Sequence, residues 1–350
     1  MNLTASNSSI CYSINSPPFK YNHTVTSIKY SVTFSTLGLI SNLFAFIVLL
    51  KSFQRTHSRS RSFFMVFLGG LVVTDFMGLL VTGSIVVSFY ATQFNWRKID
   101  PDCHFCNFMG MSMVFYGLCP LLLGAAMALE RFIGINCPFV HSASVPRCRS
   151  ISMVLAVWLF AGCIALLPLT GVGSYHIQMP GSWCFFNISH RGKDLAFSLI
   201  FSLVGLTCIF VSFLLNTVSV VTLIKVCCGP QKHQRRRDHE VEMMVQLILI
   251  MAIASVCWCP LLIYTLTSVL TDVRVRAETL LFYIRMATCN QIFDPWIYIV
   301  FQESRLRSLL QKLCCQKPAS GSDTSCCTYA SPPGTRFSIR GCTFCSAEQF

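Results

Sequence analysis

Seven long apolar stretches divide this chain, and they constrain its fold more than any other feature of the sequence. A helix needs about 20 mostly apolar residues to cross the hydrocarbon core of a membrane, and each stretch reaches about that length. We number them spans one to seven; in order, they are 31–50, 63–89, 108–135, 151–169, 195–224, 243–270 and 279–301. Strands of a transmembrane barrel would instead alternate apolar and polar residues over about 10 positions. The sequence therefore predicts an all-α membrane protein, a seven-transmembrane helix bundle.

The composition excludes an ordinary soluble enzyme. Charged residues make up 12% of the chain, against about 25% in an average soluble domain, and the mean hydropathy is +0.59.

We expect four parts: an extracellular glycosylated tail at 1–29, the bundle at 30–301, a short amphipathic helix on the membrane surface at 302–315, and a disordered cytosolic tail at 316–350.

The basic residues predict the orientation in the membrane. With the N-terminus outside, 18 of the 27 Lys and Arg residues lie on the cytosolic side and 8 on the outer side, as the positive-inside rule requires. Sequons for N-glycosylation fall on the predicted outer side, at Asn2, Asn7, Asn22 and Asn187. We therefore expect a multi-pass plasma-membrane protein with its N-terminus extracellular and its C-terminus cytosolic.

The cysteines divide by compartment. Four lie outside, where the medium is oxidising: Cys11, Cys103, Cys106 and Cys184. We expect disulfides that tie the tail and the second outer loop to the top of span three. Cys103-His-Phe-Cys106 also has the spacing of a redox or zinc motif, which would need a second ligand pair.

Two cytosolic cysteines follow a short basic amphipathic stretch after span seven. Such a stretch lies on the membrane face, and its cysteines can carry palmitate. We expect palmitoylation at Cys314 or Cys315. The alternative is that both are unpaired cytosolic thiols.

Ionisable residues inside a span are costly and usually functional. Asp75 in span two and Asp294 in span seven could bracket a sodium ion or a water cluster, or form a hydrogen-bonded structural pair. Arg285 has no acidic residue three or four positions away in its own helix. The planar guanidinium of Arg285 suits an external carboxylate. The alternative is that the side chain extends to the membrane–water interface.

No catalytic centre is visible in the spans. All eight His residues lie in loops or tails, which argues against a zinc-dependent membrane hydrolase, and span seven has no Lys for a retinal Schiff base. We expect no enzyme activity, no cofactor and no metal centre. A transporter or channel is the main alternative of another class, although only Asp75 and Asp294 would offer it a polar pathway.

Motifs in all seven spans resemble those of the rhodopsin-like (class A) G-protein-coupled receptors. The matching positions are Asn42, Asp75, Glu130-Arg131-Phe132, Trp158, Cys257-Trp-Cys-Pro260 and Asp294-Pro-Trp-Ile-Tyr298. Within this family, Met179-Pro-Gly-Ser-Trp-Cys-Phe185 and the segment from Arg285 to Trp296 are similar to prostanoid receptor signatures. The predicted disulfides are Cys106–Cys184, which matches the disulfide of the family, and Cys11–Cys103.

The resemblance implies a lipid acid as ligand. Its carboxylate would meet Arg285, Tyr90 and Ser182, although most relatives carry Thr where Ser182 stands. Further residues are expected to line the pocket, with helix packing as the alternative for each one: Thr82, Met113, Trp183, Phe185, Ser202, Trp258 and Leu281.

The resemblance also implies a switch. Pro260 kinks span six two residues after Trp258, and an Arg131–Glu240 pair at the cytosolic edge could hold the resting state; the alternative is a solvated pair of little value. The other expected switch residues are Glu130, Asp294, Pro295 and Tyr298. Expected partners are a heterotrimeric G protein (q class, with the 12/13 class second), arrestin, receptor kinases and membrane lipid, but no nucleic acid.

Overall fold

The structure, a computed structural model, describes residues 10–14, 28–54, 59–92, 95–136, 147–227 and 234–302. Several predicted features lie outside these residues: the sequons at Asn2, Asn7 and Asn22, nearly all of the amphipathic helix at 302–315 with Cys314 and Cys315, and the tail at 316–350. Glu240 lies in the helix of span six, but its side chain is not among those described.

Seven long helices correspond to the seven apolar stretches, so the predicted fold class is confirmed. Most extend a few residues beyond the apolar stretch, because helical hydrogen bonding continues past the hydrocarbon core. Spans one to seven are Ile28–Gln54, Arg59–Gly78 continued through Leu79–Gly83 and Ser84–Thr92, His104–Asn136, Arg147–Leu166, Gly192–Cys227, Gln234–Leu270 and Ala277–Gln302. Short helical turns lie at Ile10–Tyr12, Trp96–Ile99 and Leu167–Thr170.

Span seven differs from the other six helices in its composition. Six of the described helices are long and apolar enough to cross a membrane by length and composition alone, and Ala277–Gln302 is not among them. Its middle carries Arg285, Asn290, Gln291 and Asp294. It nevertheless packs along spans one and six, so its polar residues lie within the bundle.

Buried side chains form one cluster in each half of the bundle. The outer cluster contains Phe185, Trp258 and Leu281, and the inner cluster contains Phe67 and Tyr298. We call the half that also carries both disulfides the outer half, following the orientation predicted from the charges. The predicted disulfides Cys11–Cys103 and Cys106–Cys184 are both present.

A β-hairpin in the second outer loop was not predicted from the sequence. Strand β1 (Tyr175–Gln178) pairs antiparallel with β2 (Trp183–Phe186), and Ile177 lies opposite Cys184. Every residue of β2 is buried, because the hairpin packs on span three and Cys184 is bonded to Cys106 there. The hairpin therefore closes the outer end of the bundle over span three.

Candidate functional site

Two of the three residues predicted to meet a carboxylate are in direct contact. Ser182, in the turn between β1 and β2, donates from its hydroxyl to the hydroxyl of Tyr90 at 3.3 Å. Ser182 is only 2% exposed, whereas Tyr90 is half-buried near the outer end of span two. Two hydroxyl groups thus converge beneath the hairpin, where either can donate to an oxygen anion.

The turn that carries Ser182 is fixed by two tryptophans. Trp96 donates from Nε1 to the carbonyl of Gly181 at 2.6 Å, and Trp183 donates from Nε1 to the carbonyl of Met179 at 3.2 Å. Both indoles are almost fully buried. Trp96 was not predicted, because its place in a short outer loop gives no periodic signal that could identify it.

Arg285, the third predicted carboxylate partner, lies against span one. Its guanidinium carbon is 4.6 Å from the centroid of the Tyr30 ring, which is within cation–π range. The neighbouring Ile284 belongs to the outer apolar cluster, so Arg285 lies in the half of the bundle that holds Tyr90 and Ser182. Tyr30, like Trp96, was not predicted from the sequence.

Most of the other predicted lining residues belong to the outer cluster. Trp183, Phe185, Trp258 and Leu281 are buried members, and Met113 packs against them. The Trp258 ring lies directly on span three, because a Cβ added at Gly117 would be 2.7 Å from its Cη2 atom. The predicted pocket residues thus share one apolar environment between the hairpin and the middle of span six.

Three buried polar atoms on spans five and six in this half have no hydrogen-bond partner among the described residues. They are Oγ of Ser202, Nε1 of Trp258 and Oγ1 of Thr265. A buried polar group without a partner costs about 1–3 kcal/mol, so such groups usually serve a ligand or a water molecule. Thr265 was not predicted. The hydroxyl of Thr82, which was predicted, instead donates to the carbonyl of Gly78 at 2.6 Å.

A second polar group lies lower in the bundle. Asp75 and Asp294 are fully buried and interact electrostatically, and Asn290 donates from Nδ2 to Oδ2 of Asp294 at 2.9 Å. Several buried oxygens here have no partner among the described residues: Oδ1 of Asn42, both carboxylate oxygens of Asp75, Oδ1 of Asn290, Oδ1 of Asp294 and the hydroxyl of Tyr298. Oxygen ligands of this kind suit a hard cation or ordered water, so the residues fit the sodium or water cluster that remains a prediction.

The neighbours of Arg131, at the inner end of span three, include an acid, a sulfur and an aromatic ring. Its Nε is 2.7 Å from Oε2 of Glu130, and its Nη1 lies 3.6 Å from Sδ of Met243 in span six. Its guanidinium also lies 5.3 Å from the Phe64 ring centroid. Span six therefore contacts Arg131 through Met243, and the Arg131–Glu240 pair remains a prediction because the Glu240 side chain is not described.

The predicted hinge prolines lie inside their helices. Pro260 is within span six and Pro295 within span seven, where each removes a backbone donor. Tyr298 is fully buried below Pro295. Their positions agree with the predicted switch, whose operation remains a prediction.

A network of polar side chains fixes the hairpin to span five. Ser174 donates to Oδ1 of Asp194 at 2.9 Å and lies 2.8 Å from Nε2 of His176. Nδ2 of Asn187 donates to Oδ2 of Asp194 at 2.7 Å, so this sequon asparagine has a structural contact as well, and its glycosylation remains a prediction. Burial lowers the pKa of His176, although the Asp194 charge opposes that shift.

The N-terminal segment is fixed beside this hairpin. The Tyr12 hydroxyl donates to the carbonyl of Asp100 at 2.8 Å, and Cys11 is bonded to Cys103. Burial, with a smaller contribution from the Asp100 charge, raises the pKa of Tyr12 to about 12. Tyr12 therefore remains a neutral hydrogen-bond donor at physiological pH.

Comparisons with known proteins match most of the chain. A family model for the seven-transmembrane receptors of the rhodopsin family matches residues 41–298. The thromboxane A2 receptor of Rattus norvegicus is 49% identical over 295 residues, which cover 81% of this chain and 86% of that receptor. The human thromboxane A2 receptor is 48% identical over 300 residues, or 83% and 87% of the two chains. The prostaglandin F2-alpha receptor of Mus musculus is 41% identical over 297 residues, or 83% and 81%.

Proposed function

Because the chain belongs to the rhodopsin family of seven-transmembrane receptors and, within it, to the prostanoid receptors, we propose that its agonist is a prostanoid acid, with thromboxane A2 favoured. The observation that carries the proposal is the contact between Ser182 and Tyr90 beneath the hairpin. Thromboxane A2 is favoured because the relatives named for it share more of the sequence than those named for prostaglandin F2-alpha.

The ligand carboxylate binds where the outer loop meets the bundle. Arg285 provides the positive charge, and the hydroxyls of Tyr90 and Ser182 provide two further donors. Hydrogen bonds between a guanidinium and a carboxylate are short and geometrically specific. The hairpin excludes water from this site, and the lower effective dielectric strengthens the charge pair.

The apolar chains of the ligand occupy the outer cluster. Phe185 and Leu281 offer apolar contacts, and the buried hydroxyls of Ser202 and Thr265 are available to a polar group on a chain. The ligand then reaches Trp258, two residues before Pro260. An agonist that binds better when Trp258 has a different position shifts the receptor toward the conformation of span six that has this position.

The signal reaches the cytosolic side through span six. In the described state, Arg131 pairs with Glu130 and contacts Met243 of span six. Outward movement of span six removes the Met243 contact and opens a groove for the C-terminal helix of a G-protein α subunit. We favour the q class, with the 12/13 class second, and expect arrestin and receptor kinases to bind the same cytosolic face.

The proposed setting is the plasma membrane, with the N-terminus extracellular. The excess of Lys and Arg in the predicted cytosolic loops supports this orientation. The two disulfides support it as well, because they lie at the opposite end of the bundle and such bonds persist in oxidising compartments.

Competition binding distinguishes the candidate ligands. A labelled thromboxane mimetic bound to membranes of expressing cells is displaced by unlabelled thromboxane mimetic and by E, D, F and I prostanoids. We expect the thromboxane mimetic to compete best. Preference for another prostanoid would assign the receptor to that subtype instead. The F type is one such candidate, because a prostaglandin F2-alpha receptor is among the relatives of this chain.

A transporter or channel is the alternative of another class. Purified protein in proteoliposomes without G protein should show no ion or lipid flux under either agonist or buffer. It should instead accelerate nucleotide exchange on purified G proteins when agonist is added. Flux without exchange would contradict the receptor proposal.

A further inference from the structure

The helix of span two contains one wide turn. Leu79–Gly83 forms a π-helical turn between the α-helical segments Arg59–Gly78 and Ser84–Thr92. A π turn within an α-helix accommodates one more residue than the α-helical turn it replaces, and such turns are frequent at functional sites. The apolar pattern of span two gave no indication of it.

The extra residue changes the direction in which the outer segment faces. An α-helix has about 3.6 residues per turn, so each residue adds about 100° of rotation. Removing one residue from the turn would therefore rotate Ser84–Thr92 by about 100° relative to the rest of span two. Tyr90 lies on that segment, and its contact with Ser182 depends on this rotation.

Close helix packing fixes both ends of the wide turn. A Cβ added at Gly83 would collide with Oγ of Ser35 in span one. A Cβ added at Gly78 would lie 2.8 Å from Nε2 of Gln291 in span seven and 3.1 Å from Cβ of Tyr116 in span three. Glycine at these two positions therefore allows span two to approach three neighbouring helices.

A side-chain hydrogen bond spans the wide turn. The Thr82 hydroxyl donates to the carbonyl of Gly78 at 2.6 Å. In a regular α-helix, that carbonyl would accept the backbone N–H of the residue four positions later, which is Thr82 itself. In a π turn, a carbonyl accepts instead from the backbone N–H five positions later. The Thr82 hydroxyl therefore keeps a hydrogen bond between Thr82 and the Gly78 carbonyl.

We propose that the wide turn at Leu79–Gly83 is a positioning element that directs Tyr90 toward Ser182, and that Thr82 is a positioning residue for the carboxylate site. The inference rests on the proposed function, because it assumes that Tyr90 meets the ligand. The alternative is that Thr82 lines the pocket directly, as the sequence analysis expects.

A double-mutant cycle tests this role in the full-length receptor. The affinity for a labelled thromboxane mimetic is measured for the wild type, Thr82→Val, Tyr90→Phe and the double variant. We expect each single variant to lose about tenfold in affinity, the double variant to lose no more than Tyr90→Phe, and Thr82→Ser to recover the wild-type value. Two results would overturn the inference. Additive losses would mean that Thr82 contacts the ligand directly, and no loss in Thr82→Val would mean that Thr82 has no role in binding.

A second pair of variants tests the turn without changing Thr82. Gly83→Ala should lower the affinity for the acid mimetic, because the added methyl collides with Ser35, and Ser35→Gly in the same chain should restore it. No loss in Gly83→Ala, or no recovery in the pair, would contradict the packing argument. The neutral amide of the mimetic is the control, and its affinity should change less than threefold in every variant.

The outcomes separate this inference from the proposed function. If Tyr90→Phe binds the acid as well as the wild type does, the proposed carboxylate site is wrong. If Tyr90→Phe loses affinity and the cycle is additive, the site stands and only the positioning role of Thr82 fails.

Discussion

The Ser182 hydroxyl donates a hydrogen bond to the Tyr90 hydroxyl at 3.3 Å, which joins the second outer loop to the outer end of span two. The two residues are 92 positions apart in the chain. The hairpin turn that holds Ser182 is anchored by Trp96, while Tyr90 is oriented by its helix. Two independently supported hydroxyl groups therefore meet at one point, and the Tyr90 hydroxyl, which accepts from Ser182, can donate its own hydrogen to an anionic oxygen.

Removing either hydroxyl should weaken acid binding. We expect Ser182→Ala and Tyr90→Phe each to lower the affinity for a prostanoid acid by about tenfold, as is typical for a hydrogen bond to a charged group. Because the two hydroxyls also bond to each other, the losses should be less than additive in the double variant. Competition binding with the acid and its neutral amide measures this; equal losses for the two ligands would show that the hydroxyls serve packing rather than the carboxylate.

Glu130 should restrain signalling without ligand. Its carboxylate is 2.7 Å from Nε of the buried Arg131, so Glu130→Gln removes a charge partner and favours states in which Arg131 has moved. We expect basal nucleotide exchange on purified q-class G protein to rise several-fold, while Glu130→Asp, which keeps the charge, should stay nearer the wild type. A lower basal rate in Glu130→Gln would mean that the pair supports the active state.

Sodium should oppose agonist binding. The buried carboxylates of Asp75 and Asp294 and the oxygens near them without partners suit a cation in the described state, so an agonist that favours another state competes with it. We expect sodium chloride, compared with choline chloride at equal ionic strength, to lower agonist affinity in the wild type and not in Asp75→Asn. An identical response to the two salts in the wild type would argue for a water cluster instead.

The hairpin should lose stability in mild acid. Burial lowers the pKa of His176 below its ordinary value of 6.5, so the unfolded hairpin binds more protons than the folded one between the two pKa values. The stabilisation is therefore complete above about pH 6.5 and is lost as the pH falls toward the folded pKa. Thermal unfolding of purified receptor at about pH 7.5 and pH 5.5 should show a larger decrease in the wild type than in His176→Gln. The control His104→Gln, at an exposed position, should behave like the wild type, and a decrease in His176→Gln equal to that of the wild type would exclude His176 as the cause.

Apolar patterning predicted the helices but not their internal distortion. The length of each apolar stretch reflects the thickness of the membrane, so the positions of all seven helices were predictable. The wide turn in span two and the hairpin in the second outer loop depend instead on contacts distant in sequence, such as Gly83 with Ser35 and Ile177 with Cys184. A single sequence carries no periodic signal for such contacts.

The candidate site was predicted in the same uneven way. Arg285 was identified as an ionisable residue within a span, and Tyr90 and Ser182 were identified from the family resemblance. Tyr30 and Trp96, which contact Arg285 and the Ser182 turn, were not. Their roles arise from the tertiary packing of an aromatic side chain, and an aromatic residue near the end of a span is also common at a membrane interface.

The central claim is that Arg285 binds the carboxylate of the ligand, and one comparison tests it most directly. Competition binding compares a prostanoid acid with its neutral amide on the wild type and on Arg285→Ala. Truncating one partner of a desolvated charge pair costs about 2–5 kcal/mol, so we expect the acid to lose about 100-fold in affinity and the amide less than threefold. Equal losses for the acid and the amide would contradict the claim and assign Arg285 a structural role against Tyr30.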